Sequence, residues 1–346
     1  MEAPRAVDDF IGQCARPDDI SWFGLGILTT RVWRDTLRTS EAAMHISHCI
    51  CSTALILLLG SRASAEPPMV RLTTDPSDER EPAWSPDGSQ IAFNRGTDVW
   101  VMPSSGEPAT RLTTGFFTSH EPTWSSDGTQ IAFTSTRDGG FDVWSMPSSG
   151  EPPATRLTVS ETDDWAPDWS PDNGSIVFAS NRIQGGYDIW MIPASGEPPA
   201  ARLTDLLADD GEPALSPDGA SIAFFSREAG NADIWVQSVS GGPATQITTH
   251  PTDDYDPDWS TDGKWIVFTS LRSGNTDIWI VPSQGGSEIQ LTTSPYSDIE
   301  PAWSPDGLQI AFSSGRAAQV NDIWVMNFPP TAIEAATWGA VKAMFR

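Results

Sequence analysis

From Met69 onward, short apolar, β-branched or aromatic runs alternate with turn clusters of Pro, Gly, Asp and Ser, and the whole pattern returns every ~44 residues. The first complete copy, residues 71–108, reads RLTTDPSDEREPAWSPDGSQIAFNRGTDVWVMPSSGEP, and successive copies start at Arg71, Arg111, Arg156, Arg202, Gln246 and Gln290. Each unit predicts four strands. In the second copy strand A is 122–125 (P-x-W-S), strand B 131–135 (I-A-F), strand C 142–146 (D-V-W) and strand D 154–158. Ser-Pro-Asp-Gly or a near relative joins A to B in every copy. Its proline presets φ, and its Gly, or Asn173 in the third copy, accepts the left-handed conformation of a tight hairpin.

Six such units predict an all-β, six-bladed β-propeller of four-stranded antiparallel blades. The repeats begin with a lone strand D, 69–73, and the last copy ends after its strand C, so the N-terminal strand is expected to close the last blade and remove its open edge. Tryptophan recurs on strand A (Trp84, Trp124, Trp169, Trp259, Trp303, with Leu215 in the fourth copy) and on strand C (Trp100, Trp144, Trp190, Trp235, Trp279, Trp324). Side chains of that size repeating once per blade read as wedges between sheets, and ligand stacking is the competing reading. An Arg and an Asp flank every B–C hairpin, as Arg137 and Asp142 do, and a pair common to all blades is expected to be scaffold.

Residues 1–65 carry no repeat. An apolar run of 12 residues, 49–60, precedes Ala63-Ser64-Ala65, which reads as a signal peptide starting at Met44 and cleaved after Ala65; the alternatives are a short membrane anchor or a buried segment of an unrelated N-terminal piece. Domain organisation is therefore expected as an upstream segment and leader (1–65), the propeller (66–330) and a tail (331–346) in which Trp338, Val341 and Phe345 have near-helical spacing. All three cysteines, Cys14, Cys49 and Cys51, lie ahead of the repeats, so the exported part would rely on packing alone. Its location is expected to be periplasmic or extracellular, with no membrane insertion of the mature chain.

The leader removes six of the 20 basic and seven of the 46 acidic residues, leaving a net charge of −25 that excludes nucleic acid and anionic membranes as partners. The meander places the D–A and B–C loops on one face, and the D–A loops are long, variable and acidic. Immediately before the strand A proline stand Glu81, Glu121, Ala166, Glu212, Asp256 and Glu300, so five blades of six bring a carboxylate to the channel mouth. Such a ring attracts a cation or a basic peptide; alternatively, each acid only accepts backbone amides near its own loop. Phe116, Phe117, Trp165, Tyr255 and Tyr296 lie in the same loops as anchors for a partner, or as lids on the blade tops.

The phrase L-T-x(n)-P-x-W-S-P-D-G-x-x-I-A-F-x-S-x-R-x(n)-D-I-W resembles the repeat of TolB-like propellers across about residues 69–328. That resemblance implies the six-bladed fold. For function it implies either protein binding in the periplasm, as for TolB with the peptidoglycan-associated lipoprotein, or a place beside the catalytic domain of tricorn-type and prolyl-oligopeptidase-type peptidases. No G-x-S-x-G occurs, so a hydrolase nucleophile elbow is absent from the sequence. His120 and His250 lie in separate D–A loops without metal-ligand spacing. The expected function is thus a monomeric, non-catalytic scaffold for a protein or peptide, with no cofactor. The alternatives are a hydrolase or lactonase using Ca2+ in the channel, or a stand-alone relative of a peptidase propeller.

Overall fold

The computed structural model describes residues 66–328 apart from 151–152, 184–185, 198 and 318–319. The expected leader and the expected tail helix lie outside the described residues.

The A–B turns close through their own side chains. In the first, Ser85 Oγ donates to Asp87 Oδ1 at 2.7 Å, the Ser89 amide donates to the same oxygen at 3.0 Å, and the Gln90 amide donates to Ser85 Oγ at 2.9 Å. Gly88 ends that turn with φ 71°, and Asn173 does so in blade three with φ 59°. The serine–aspartate contact recurs as Ser125–Asp127, Ser170–Asp172, Ser216–Asp218, Ser260–Asp262 and Ser304–Asp306. Those hydrogen bonds hold the carboxyl of Asp87 down at about 2 and lower Asp127, Asp172, Asp218 and Asp306 as well.

The described residues form six four-stranded antiparallel sheets, five of them sequential A–B–C–D meanders. The sixth takes its fourth strand from the N-terminal segment Met69–Arg71, which pairs with Asp322–Asn327 in the register Met69 to Met326, Val70 to Val325 and Arg71 to Trp324. The ring is closed as expected. No helix among the described residues is long and apolar enough to cross a membrane.

Apolar packing sits between blades. One phenylalanine per strand B (Phe93, Phe133, Phe178, Phe224, Phe268, Phe312) is fully buried. Each large strand A side chain joins a cluster shared with the preceding blade: Trp84 packs with Ala311 and Ile323, Trp124 with Ala92 and Val99, and Leu215, in the place of the tryptophan, with Val177 and Ile189. These are the wedges that the repeat predicted.

The hairpin charges are wired differently from the sequence expectation. Asp142 pairs with Arg156 of strand D at 2.8 Å rather than with Arg137, and Asp188 pairs with Arg202 at 2.6 Å. Arg182 turns instead to Asp164 on strand A at 2.9 Å, Arg272 to Asp254 at 2.6 Å and Arg95 to Glu79 at 2.5 Å. The cause is stacking. Each of these guanidiniums lies over its blade's own Phe and Trp, Arg182 at 4.9 Å from the rings of Phe178 and Trp190, which carries it across the sheet away from the hairpin aspartate. Blade two has Ser119 where the others have that acid, and among the described residues the hydrogen bond of the Arg137 side chain goes to Ser135 Oγ, at 3.2 Å.

Candidate functional site at the channel mouth

Strand A does not run straight into the channel. In blade one Arg80 pairs with Asn94 but Ala83 with Ala92, so three steps on one strand face two on the other, which is a β-bulge. The same shift occurs in every blade, at the residue before the proline. That residue is left-handed in all six: Glu81 (φ 57°), Glu121 (54°), Ala166 (51°), Glu212 (51°), Asp256 (51°) and Glu300 (57°). A non-glycine residue in this region costs on the order of 1–3 kcal/mol. Because Ala166 shares the conformation, the strain belongs to the blade, and the side chain it presents is what varies.

The bulges bring Glu81, Glu121, Glu212, Asp256 and Glu300 around one cavity of about 160 Å³ floored by the six prolines. These five residues meet as the sequence predicted, although their oxygens do not serve their own loops. Each reaches the backbone of the next blade. Glu81 Oε2 accepts the Glu121 amide at 2.6 Å, and Glu121 Oε2 accepts the Ala166 amide at 2.8 Å and the Thr134 hydroxyl at 2.7 Å. Glu212 Oε2 accepts from the Asp256 amide at 2.7 Å, Asp256 Oδ2 from the Glu300 amide at 3.3 Å, and Glu300 Oε2 from the Glu81 amide at 2.8 Å.

Burial first, and then the crowding of like charges, raises the carboxyls of Glu81, Glu212, Asp256 and Glu300. Burial, then the charges of Glu300 and Glu121, push Glu81 well up. Burial followed by Asp256 does the same for Glu212 and takes Glu300 to about 7. Asp256 is raised chiefly by burial. Arg80 compensates one side only, with Nη1 3.7 Å from Glu300 Oε1 and Nε 2.5 Å from Asp78.

Below the prolines lies a wider chamber of about 390 Å³, whose walls include Trp84, Trp124, Trp169, Trp303, Asp168 and Asp258. Asp168 and Asp258 were not singled out by the sequence reading. Asp168 Oδ2 accepts the Leu215 amide at 2.8 Å and Asp258 Oδ2 the Trp303 amide at 2.7 Å, and burial raises their carboxyls to about 6 and about 7. The signal was available: this position, two after the ring residue, is Ala83, Thr123, Asp168, Ala214, Asp258 and Ala302, so an acid there breaks the repeat.

Of the aromatic residues proposed as anchors, Phe116, Phe117 and Tyr296 are exposed. Trp165 packs edge-on to Tyr187 at 5.7 Å, and Tyr255 lies edge-on to Phe225 at 5.2 Å with its hydroxyl donating to Asp253 at 2.8 Å. Val159, Ile183, Leu207 and Leu271 are also exposed on the D–A and B–C loops, so seven of the nine large exposed apolar residues among those described share this face. His120, one residue before Glu121, directs Nδ1 to 3.5 Å from Glu121 Oε2 and 4.0 Å from Glu81 Oε1. Its ring meets Phe141 edge-on at 5.4 Å.

The family model for the TolB beta propeller domain matches residues 158–271, 209–317 and 254–344, and that for the Tricorn protease N-terminal beta propeller domain matches residues 93–187. No curated protein matches the chain by sequence. Among solved structures, a protein assigned as TolB from Agrobacterium tumefaciens is 24% identical with a TM-score of 0.62, the match covering 75% of this chain and 97% of that one. A gluconolactonase from Xanthomonas campestris is 14% identical with a TM-score of 0.61, over 79% and 92% of the two chains. An oligogalacturonate lyase in complex with manganese is 14% identical with a TM-score of 0.54, over 78% and 95%. At these identities the structural matches speak for the fold alone.

Proposed function

The chain belongs to the TolB beta propeller domain family, and on that premise we propose that it is an exported, non-catalytic scaffold whose loop face receives a basic peptide or protein segment. The observation that carries this is the distribution of exposed apolar side chains: Phe116, Phe117, Val159, Ile183, Leu207, Leu271 and Tyr296 lie on the loop face that holds the mouth lined by five carboxylates, while among the described residues only Val70 and Leu308 are large apolar side chains exposed elsewhere. Apolar groups on the rim supply contact area, and the acidic centre selects Lys or Arg and speeds the encounter. In this reading residues 66–330 act alone after cleavage following Ala65, which N-terminal sequencing of the exported protein tests directly.

Binding is tested on an array of soluble peptides of matched length, basic and acidic. Basic peptides should be retained, and the combined change Phe116→Ser, Leu207→Ser and Tyr296→Ser should weaken retention while leaving the fold intact. Equal retention of acidic and basic peptides overturns the reading.

A calcium-dependent hydrolase of the channel is the second reading, favoured by the chamber below the prolines and by fold likeness to the gluconolactonase. Turnover of lactones by chelator-treated protein upon calcium addition would establish it in place of the scaffold.

A further inference from the structure

We propose that Glu81, His120 and Glu121 form a binding site for a transition-metal dication such as Zn2+ or Mn2+ at the junction of blades one and two. The residue two before the strand A proline is Arg80, His120, Trp165, Gly211, Tyr255 and Ile299, so the repeat does not require a histidine there. The one that occurs stands between two ring carboxylates contributed by different blades. One donor atom from each of the three residues lies within 4.8 Å of the other two. The separations from His120 Nδ1, 3.5 Å to Glu121 and 4.0 Å to Glu81, are too long for good hydrogen bonds. They approach the edge of roughly 3.4 Å that a tetrahedral metal with ligand distances near 2.1 Å requires.

The surroundings support the assignment. A second shell of hydrogen bonds normally orients metal-binding carboxylates. Here Glu81 Oε2 is fixed by the Glu121 amide at 2.6 Å, leaving Oε1 toward the histidine, whereas Glu121 Oε2, the oxygen 3.5 Å from the histidine, is itself oriented by the Ala166 amide at 2.8 Å and the Thr134 hydroxyl at 2.7 Å. Phe141 packs edge-on against the imidazole. Arg80, the neighbouring cation, pairs with Asp78 and lies 3.7 Å from Glu300; its charge reaches Glu81, but among the described residues it makes no ion pair with Glu81 or Glu121. A dication neutralises both carboxylates. An imidazole among three donors suits zinc or manganese better than calcium, which takes six to eight oxygens. Three protein ligands leave a coordination position open toward the mouth cavity, for water or an oxygen donor. The site does not depend on whether a peptide docks on the loop face.

The test is calorimetric titration of chelator-treated protein with Zn2+, Mn2+ and Ca2+, for the parent and for His120→Ala, Glu81→Gln and His250→Ala, with circular dichroism confirming that each variant is folded. The parent should bind one equivalent of zinc or manganese. His120→Ala should weaken that binding beyond the loss of about ten- to hundredfold that follows removal of an outer hydrogen-bond partner of a ligand, and Glu81→Gln should also weaken it. His250→Ala should not, and any calcium binding should be unchanged by His120→Ala. Absence of zinc and manganese binding in the parent, or unchanged affinity in folded His120→Ala, overturns the proposal. Loss of peptide retention with metal binding intact would instead count against the scaffold reading alone.

Discussion

Asp168 Oδ2 accepts the amide of Leu215 at 2.8 Å, joining blade three to blade four at the one junction where the ring has no carboxylate to offer. The ring residue of blade three is Ala166, so Glu212 has no acid behind it, and the link moves two residues along the strand. Asp168 also accepts from Thr123 Oγ1 at 3.2 Å, so three blades meet on one side chain.

Asp168→Ala should therefore destabilise the protein by about 1–3 kcal/mol, the cost of leaving a recessed amide without its acceptor. Asp168→Asn keeps an acceptor oxygen and should cost less than about 1 kcal/mol at pH 8. Urea unfolding of both variants separates the hydrogen bond from the charge.

Stability should rise as pH falls from 8 toward 5. Asp168 lies at about 6 and Asp210, Asp258 and Glu300 at about 7, each raised first by burial. A carboxyl whose folded value exceeds its unfolded value of about 4 favours the fold while protonated, and that contribution disappears as pH climbs through 6–7. Below pH 4 the trend should reverse, because Asp87 and the other turn aspartates have lowered values and lose their hydrogen-bonded charge. Thermal midpoints measured across pH 3–9 should peak near 5, and a monotonic rise up to pH 8 would contradict the burial argument.

Replacing Glu81, Glu121, Glu212 and Glu300 with Gln and Asp256 with Asn should leave the midpoint at pH 8 equal or higher. Amide oxygens can still accept the neighbouring backbone amides, and the repulsion is gone. If the mouth binds basic peptides, affinity should fall and its salt dependence flatten, since screening acts on these charges. The parent's affinity and salt slope retained in the variant would make the acids purely structural.

Removing residues 69–73 should expose the edge of Asp322–Asn327, lowering the unfolding midpoint or causing association detectable by light scattering. Removing residues 1–65 should do neither. Equal midpoints for the two truncations would deny the closing strand its role.

The strand order, the hairpin turns, the wedges and the closing strand were legible because each is written locally and repeated six times. Convergence of Glu81, Glu121, Glu212, Asp256 and Glu300 was legible for the same reason. What those oxygens bind was not, because their partners lie on the next blade, as for Glu81 and the Glu121 amide, 40 residues away. Nearness in sequence was misleading for Arg137 and Asp142: stacking of Arg137 over Trp144 at 4.9 Å outweighs the short path round the hairpin. His120 was noticed yet not grouped with Glu81, since no linear spacing connects ligands drawn from two blades.

The closing strand also sets an order of events. Within blade three the Asp188–Arg202 contact spans 14 residues, whereas the equivalent contact in the last blade, Arg71 with Asp322, spans 251. Loop-closure entropy grows by ~0.6 kcal/mol per doubling, so from an open chain the last contact costs roughly 2–3 kcal/mol more than its counterparts. Five blades can form from neighbouring sequence as the chain emerges; the sixth draws its fourth strand, Met69–Arg71, from before the first blade. Until residues 322–327 are made, Met69–Arg71 has no sheet to join, and the rate of the final step is governed by how closely the finished blades hold the two strands together.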